Sequence, residues 1–151
     1  MNQVDVQVAV SGCDVPAPAQ FADWAGAAVD KRASDWEVCV RIVDCDESAH
    51  LNERYRGKTG ATNVLSFVAD MADESGVRLL GDVVICAPLV DAEARDQGKP
   101  LIAHWAHLTV HGVLHLLGMD HQESADAQLM EAAERAALAH LGYPDPYTVS
   151  V

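Results

Sequence analysis

No stretch of this 151-residue chain reaches the ~18–20 consecutive apolar residues that a membrane-spanning helix needs, although 50% of its residues are hydrophobic. The opening MNQVDVQVAV has no basic residue ahead of its apolar positions, so no secretory signal is expected and the cytoplasm is the expected location. Cysteine is scarce and scattered: Cys13, Cys39, Cys45 and Cys86 form no CxxC pair. That argues against a zinc knuckle or a disulfide framework and for buried thiols in a reducing compartment. Positive charge is also short, with 10 Lys and Arg against 23 Asp and Glu and a net charge of −13. Such a balance excludes a protein that coats nucleic acid nonspecifically, so any RNA contact must be local, through a basic patch, a metal or a partner. Repeats, low-complexity tracts and linkers are missing too, and the length suits one compact domain over residues 1–151.

Against these absences stands a concentration of histidine in HGVLHLLGMDH. His111 and His115 are four residues apart, which on a helix places them one turn apart on the same face. Gly118 suits the left-handed conformation that reverses a chain after its last helical turn, and the reversal would bring His121 towards the other two imidazoles. Three neutral nitrogen donors would hold zinc and leave its fourth position to water. His104 and His107 lie on nearly the same face, but about 12 Å of helix rise separates residues eight apart, too far for a straight row to share one ion. The pair nearest Gly118 is therefore the ligand pair. His104 and His107 become lining, supporting or packing residues, and His50 and His140 read as surface positions.

Periodicity outlines the rest. Val4, Val6, Val8 and Val10 alternate with polar or small residues and predict a strand over residues 1–10. Phe21, Trp24, Ala28 and Val29 predict a helix from Gln20 to Arg32, and Trp36–Val43 a second strand, parallel to the first through a right-handed crossover. A helix follows from Asp46, its candidate N-cap, to Arg56, with Gly57 near its end. Strands at Asn63–Val68 and Leu79–Cys86, joined by the acidic loop Ala69–Arg78, should pair antiparallel because no helix separates them. Pro88 and Pro100 each suit a first helical turn, the first helix reaching about Gln97 and the second carrying the histidines. Ser124 is the candidate cap of a last helix with the apolar stripe Leu129, Met130, Ala133, Ala137 and Leu141, stopped by Gly142 and Pro144.

Several separated segments in this order resemble the YbeY family of bacterial rRNA-maturation endoribonucleases: LNERYRGKTGATNVLSF at Leu51–Phe67, LLGDVVI at Leu79–Ile85, HWAHLTVHGVLHLLGMDH at His104–His121, and LGYPDPY at Leu141–Tyr147. The resemblance covers nearly the whole chain. It implies an α+β fold, a mixed four-stranded sheet with about five surrounding helices and a central metal-binding helix. It further implies His111, His115 and His121 as zinc ligands, and Arg56 as the functional arginine. The implied activity is single-strand-specific RNA cleavage in 16S rRNA 3′-end maturation and ribosome quality control. The implied partners are the 16S precursor, the small ribosomal subunit, a small-subunit ribosomal protein and an Era-type GTPase. Ala61 and Val68 stand where the family often has proline, and Met119 replaces an aromatic residue.

In this chemistry zinc lowers the pKa of its bound water and polarises a phosphoryl oxygen, while the Arg56 guanidinium grips two phosphate oxygens as charge grows. Arg54 and Lys58 complete the chain's compact basic cluster and are candidates for substrate phosphates, with Arg41 joining if its strand neighbours that helix. Asp120 could orient an imidazole or shape the turn. Two other readings compete. A zinc-containing ribosome-assembly factor without catalysis would use the acidic surface to meet basic ribosomal proteins. The spacing HxxxHxxGxxH also resembles metallopeptidases of the metzincin type, but Gly112 occupies the position of their general-base glutamate.

Overall fold

A computed structural model describes residues 2–29, 35–119 and 122–147. Its elements run β1 (Gln3–Val8), α1 (Pro18–Ala28), β2 (Trp36–Val43), α2 (Cys45–Arg56), β3 (Val64–Ala72), β4 (Arg78–Cys86), α3 (Ala87–Gln97), α4 (Leu101–Leu116) and α5 (Ser124–Leu141). The four strands form one mixed sheet in the order β1-β2-β4-β3. β1 with β2 and β2 with β4 are parallel, whereas β3 runs antiparallel to β4 and forms an edge. This is the expected α+β architecture with five helices about the sheet.

Strand alternation sorts side chains between the two faces. Val38, Val40 and Ile42 of β2, with Val83 and Ile85 of β4, point into the main core with Phe21, Trp24, Trp105 and Met130 from α1, α4 and α5. Val43, Leu65, Val84 and Cys86 make a smaller cluster on the opposite face, under Leu51 of α2 and Leu89 of α3. α4 is the central helix, buried on most of its circumference from His104 to Leu116. A helix so enclosed is held by tertiary packing more than by intrinsic propensity.

Element boundaries differ from expectation where side-chain chemistry overrides pattern. α1 begins at Pro18, and residues 30–34, which the expected helix partly covered, lie outside the described residues. The cap of α2 is Asp44, not Asp46: its Oδ1 accepts the Glu47 amide at 2.8 Å, while Asp46 sits in the first turn favourable to the helix dipole. The acidic loop is shorter than expected. β3 and β4 continue pairing to Ala72↔Arg78 after an irregularity between Val68 and Met71, where Asp70 adopts φ 47°. Asp73 then closes the hairpin by accepting the backbone amides of Ser75 and Val77.

Pro100 occupies the N-cap of α4, outside the first turn, and Ser124 is the first residue of α5 while Glu123 holds its cap position. Leu129, placed in the apolar stripe of α5, is 64% exposed, and Leu138 and Glu134 share the buried face with Met130 and Ala137. All four cysteines are free thiols, but Cys86 alone is buried. Burial raises the Cys39 and Cys86 thiols to about 11, which keeps them un-ionised near neutrality. No helix of the described residues is long and apolar enough to cross a membrane.

Candidate functional site

The C-terminal end of α4 builds one wall of a cleft of about 500 Å³. The helix stops through a pair of reversed hydrogen bonds: the Met119 amide donates to the Leu114 carbonyl at 3.1 Å and the Gly118 amide to His115 at 3.0 Å, with Gly118 at φ 95°. This is the paired cap that satisfies the last carbonyls of a helix and needs a residue tolerant of the left-handed region. His111 and His115 both line the cleft, their rings 4.8 Å apart between centroids and nearly perpendicular. His121 and Asp120 lie outside the described residues. Among the described residues no three potential ligands cluster.

α4 approaches the sheet closely enough to determine what its second face carries. A Cβ at Gly112 would lie 2.5 Å from Val83 Cγ1, and the Gly112 carbonyl accepts the Ser66 hydroxyl of β3 at 2.8 Å. The residue after the first cleft histidine therefore faces the sheet, and no side chain fits there. A metzincin-type glutamate at this position has no space.

The α4 histidines meet carboxylates from two other helices. His104 is 4% exposed and its Nε2 lies 2.9 Å from Glu93 of α3. Burial lowers its pKa, and the Glu93 carboxylate only partly offsets that effect, so it stays neutral. Glu93 also accepts the Asn63 amide at 3.1 Å, and Asn63 lines the cleft, so His104 supports a cleft wall at second hand. His107 Nε2 lies 3.0 Å from Glu134 Oε1, and the same oxygen is 2.9 Å from His111 Nδ1. Tyr147 donates its hydroxyl to Glu134 Oε2 at 2.6 Å. Burial pushes the wholly buried Glu134 carboxyl up, but the hydrogen bonds from His107, His111 and Tyr147 outweigh it and bring the pKa down to about 2. An ionised carboxylate only accepts, so the protons shared with Glu134 sit on His107 Nε2 and His111 Nδ1.

The facing wall comes from the end of α2 and the segment after it. Arg56 and Lys58 line the cleft. Two buried residues of α2 pin the connection: Ser48 exchanges hydrogen bonds with the Thr62 backbone at 2.7 and 2.9 Å, and Asn52 donates to the Gly60 carbonyl at 2.9 Å. Arg41, Arg78, Arg95 and Arg135 each pair with a carboxylate. Arg56 and Lys58 form no ion pair with a described residue, so their charge faces the cleft unneutralised. Arg54 does not line it; its guanidinium lies 5.5 Å from the Tyr55 ring centre. Arg41 neighbours α2, but Glu47 holds its guanidinium at 2.6 and 3.1 Å, away from the cleft. Val68 and Met119 both line the cleft, and Met119 also packs against the main core. His50 and His140 are exposed, as their positions suggested.

Two participants escaped sequence reasoning. Glu134 was hidden inside an apparently apolar stripe, and Tyr147 in a terminal segment without periodicity. A carboxylate at the i+4 position from Met130 was the available signal, because charge on a buried face requires partners.

Fold and cleft together define an α+β domain in which a histidine pair at the end of a core helix, one of them backed by a carboxylate, shares a cleft with a cationic helix terminus beside an edge strand. Comparison with known proteins makes the class specific. The chain belongs to the endoribonuclease YbeY family, whose sequence profile matches residues 14–142. It is 53% identical over 148 residues to the endoribonuclease YbeY of Stutzerimonas stutzeri, covering 97% of this chain and 92% of the relative. Identity to the Pseudomonas entomophila protein of the same name is 52% over 148 residues, covering 97% and 94%. The solution structure of TM1509 from Thermotoga maritima shares the fold with a TM-score of 0.57 at 21% identity, covering 96% of this chain and 99% of that one.

Proposed function

We propose that this chain is a zinc-dependent, single-strand-specific endoribonuclease that acts in the cytoplasm on the 3′ end of the 16S rRNA precursor and in ribosome quality control. The observation that carries the reading is the union of the Glu134-backed His111 and His115 with unpaired Arg56 and Lys58 in one cleft. The names of the relatives support RNA as substrate. The motif resemblance supports the ribosomal setting, with the small subunit, one of its proteins and an Era-type GTPase as partners.

His111, His115 and His121 would hold the metal, and a neutral three-nitrogen donor set matches zinc's ligand preference. When bound, zinc supplies Lewis acidity next to the scissile phosphate. The remaining work belongs to the chain's own residues. Arg56 offers a planar fork for two phosphate oxygens and stabilises the charge that develops on them. Lys58 adds a second cation from the same short segment, and Arg54 serves substrate from outside the cleft, beside the Tyr55 ring. The net charge of −13 makes this local cluster the chain's means of drawing a phosphate against overall repulsion.

The test pairs metal analysis with cleavage of single-stranded RNA. Purified protein should hold about one zinc per chain, and His115→Ala should lose zinc and cleavage together while keeping its circular dichroism. Cleavage unchanged in that variant would identify a contaminating nuclease and sink the reading. A fully metallated protein that cleaves no RNA but restores ribosome maturation would favour the assembly-factor reading, for which the acidic surface is the supporting feature. The peptidase reading has the packed Gly112 against it.

A further inference from the structure

We propose that Glu134, locked by Tyr147, is the positioning residue of the metal centre: it holds His111 in the tautomer and orientation that present Nε2 to the metal. The inference rests on the zinc reading above and assigns a task to the LGYPDPY ending, which that reading leaves without one.

The geometry carries the argument. Glu134 is 0% exposed and lies on α5, 23 residues from His111 in sequence. Its Oε1 takes both His107 Nε2–H at 3.0 Å and His111 Nδ1–H at 2.9 Å, and its Oε2 takes the Tyr147 hydroxyl at 2.6 Å. Every polar contact of the carboxylate thus points to the histidine row or to the phenol that closes it. A buried anion used only to join α4 to α5 is a poor choice, since apolar packing does that at lower desolvation cost. A carboxylate behind a metal-binding imidazole fixes its ring and raises its basicity.

Tyr147 is held in turn. Its amide donates to Asp145 Oδ1 at 2.8 Å, Asp145 binds Arg135 of α5 at 3.0 Å, and Lys99 donates to the Pro146 carbonyl at 2.9 Å. The segment after α5 is therefore strapped across the N-terminal half of α4, with Tyr143 packed against the main core and the Tyr147 hydroxyl reaching in to Glu134. His107 joins the clamp beside Tyr147, its Nε2 3.3 Å from the Tyr147 hydroxyl and its ring edge-on to the phenol, which gives a task to a histidine that does not line the cleft.

The experiment measures zinc affinity by chelator competition, and thermal unfolding of the zinc-free protein, for wild type, Glu134→Met, Glu134→Gln and Tyr147→Phe. Glu134→Met should weaken zinc binding about 10–100-fold. Glu134→Gln should lose less, because an amide oxygen can still accept from both imidazoles while its NH₂ group donates to the Tyr147 oxygen. Tyr147→Phe should lose between roughly twofold and tenfold, the scale of one hydrogen bond. If Glu134 merely joins two helices, the variants lose stability without metal and bind zinc as tightly as wild type; that pattern overturns the proposal. Should Glu134→Met not fold, unchanged affinity in both Glu134→Gln and Tyr147→Phe overturns it equally. Wild type that retains no zinc defeats the metal reading and this inference with it, whereas tight wild-type binding matched by Glu134→Met defeats the inference alone.

Discussion

The two halves of α4 carry the same residue type to different ends. In the N-terminal half His104 is enclosed, neutral, and tied through Glu93 to a loop amide. In the C-terminal half His111 and His115 meet at 4.8 Å on the wall of a cleft that also holds Arg56 and Lys58. His107 lies between them and joins neither a ligand pair nor the loop; it shares Glu134 with His111. The contrast teaches that histidine spacing creates candidates, and that the partner on the next element decides their use. A carboxylate on α3 makes a support of one, and a carboxylate on α5 anchors another at the cleft wall.

The comparison breaks most sharply on the cleft side. Arg56→Ala should reduce single-strand RNA cleavage by about 10²–10³, the scale of losing one donor to developing charge, with zinc content and melting temperature as in wild type. Normal turnover would remove Arg56 from the chemistry. Gly112→Ala tests the backbone that separates the two histidine environments. Its new methyl meets Val83, so stability should drop by about 1–3 kcal/mol, read as a lower urea midpoint; an unchanged midpoint would mean that α4 can retreat from the sheet.

Effects should be small on the other side. His104→Leu keeps an apolar volume in place and removes a buried Nδ1 that has no hydrogen-bond partner, so stability should change by no more than about 1 kcal/mol in either direction. Zinc content and cleavage should persist, and loss of zinc would dissolve the distinction between the two halves. The smallest effect is one of pH. Burial holds His104 below its ordinary 6.5, so its stabilisation is present above that value and declines as pH falls through 6.5 towards the lower folded pKa, where the unfolded chain binds the proton first. Denaturant titrations from pH 7.5 down to pH 5 should show a shallower decline in His104→Leu than in wild type; equal slopes would place the protonation elsewhere.

Much of this was legible beforehand. The alternation of β2, the helical pairing of His111 with His115, the stop at Gly118, and the parallel then antiparallel sense of the strand connections all follow from local rules. The α2 cap was misplaced by two residues because Asp44 and Asp46 are equivalent by type, and only the direction of the Asp44 carboxylate distinguishes them. Leu129 was assigned inward and Glu134 overlooked for a related reason. A stripe is drawn by hydrophobicity, whereas the actual face is chosen by what packs against it, and here two imidazoles and a phenol await a carboxylate.

The sequence by itself determined the secondary elements, the histidine spacing and the turn that ends α4, because these depend on backbone preferences and contacts within a few residues. Tertiary structure alone decided that β4 lies between β2 and β3, that Arg56 faces the histidine pair, and that Glu134 stands behind His111. Those relations join residues distant in the chain, and their free energy comes from burial and from pairing charges away from water, which no local pattern records.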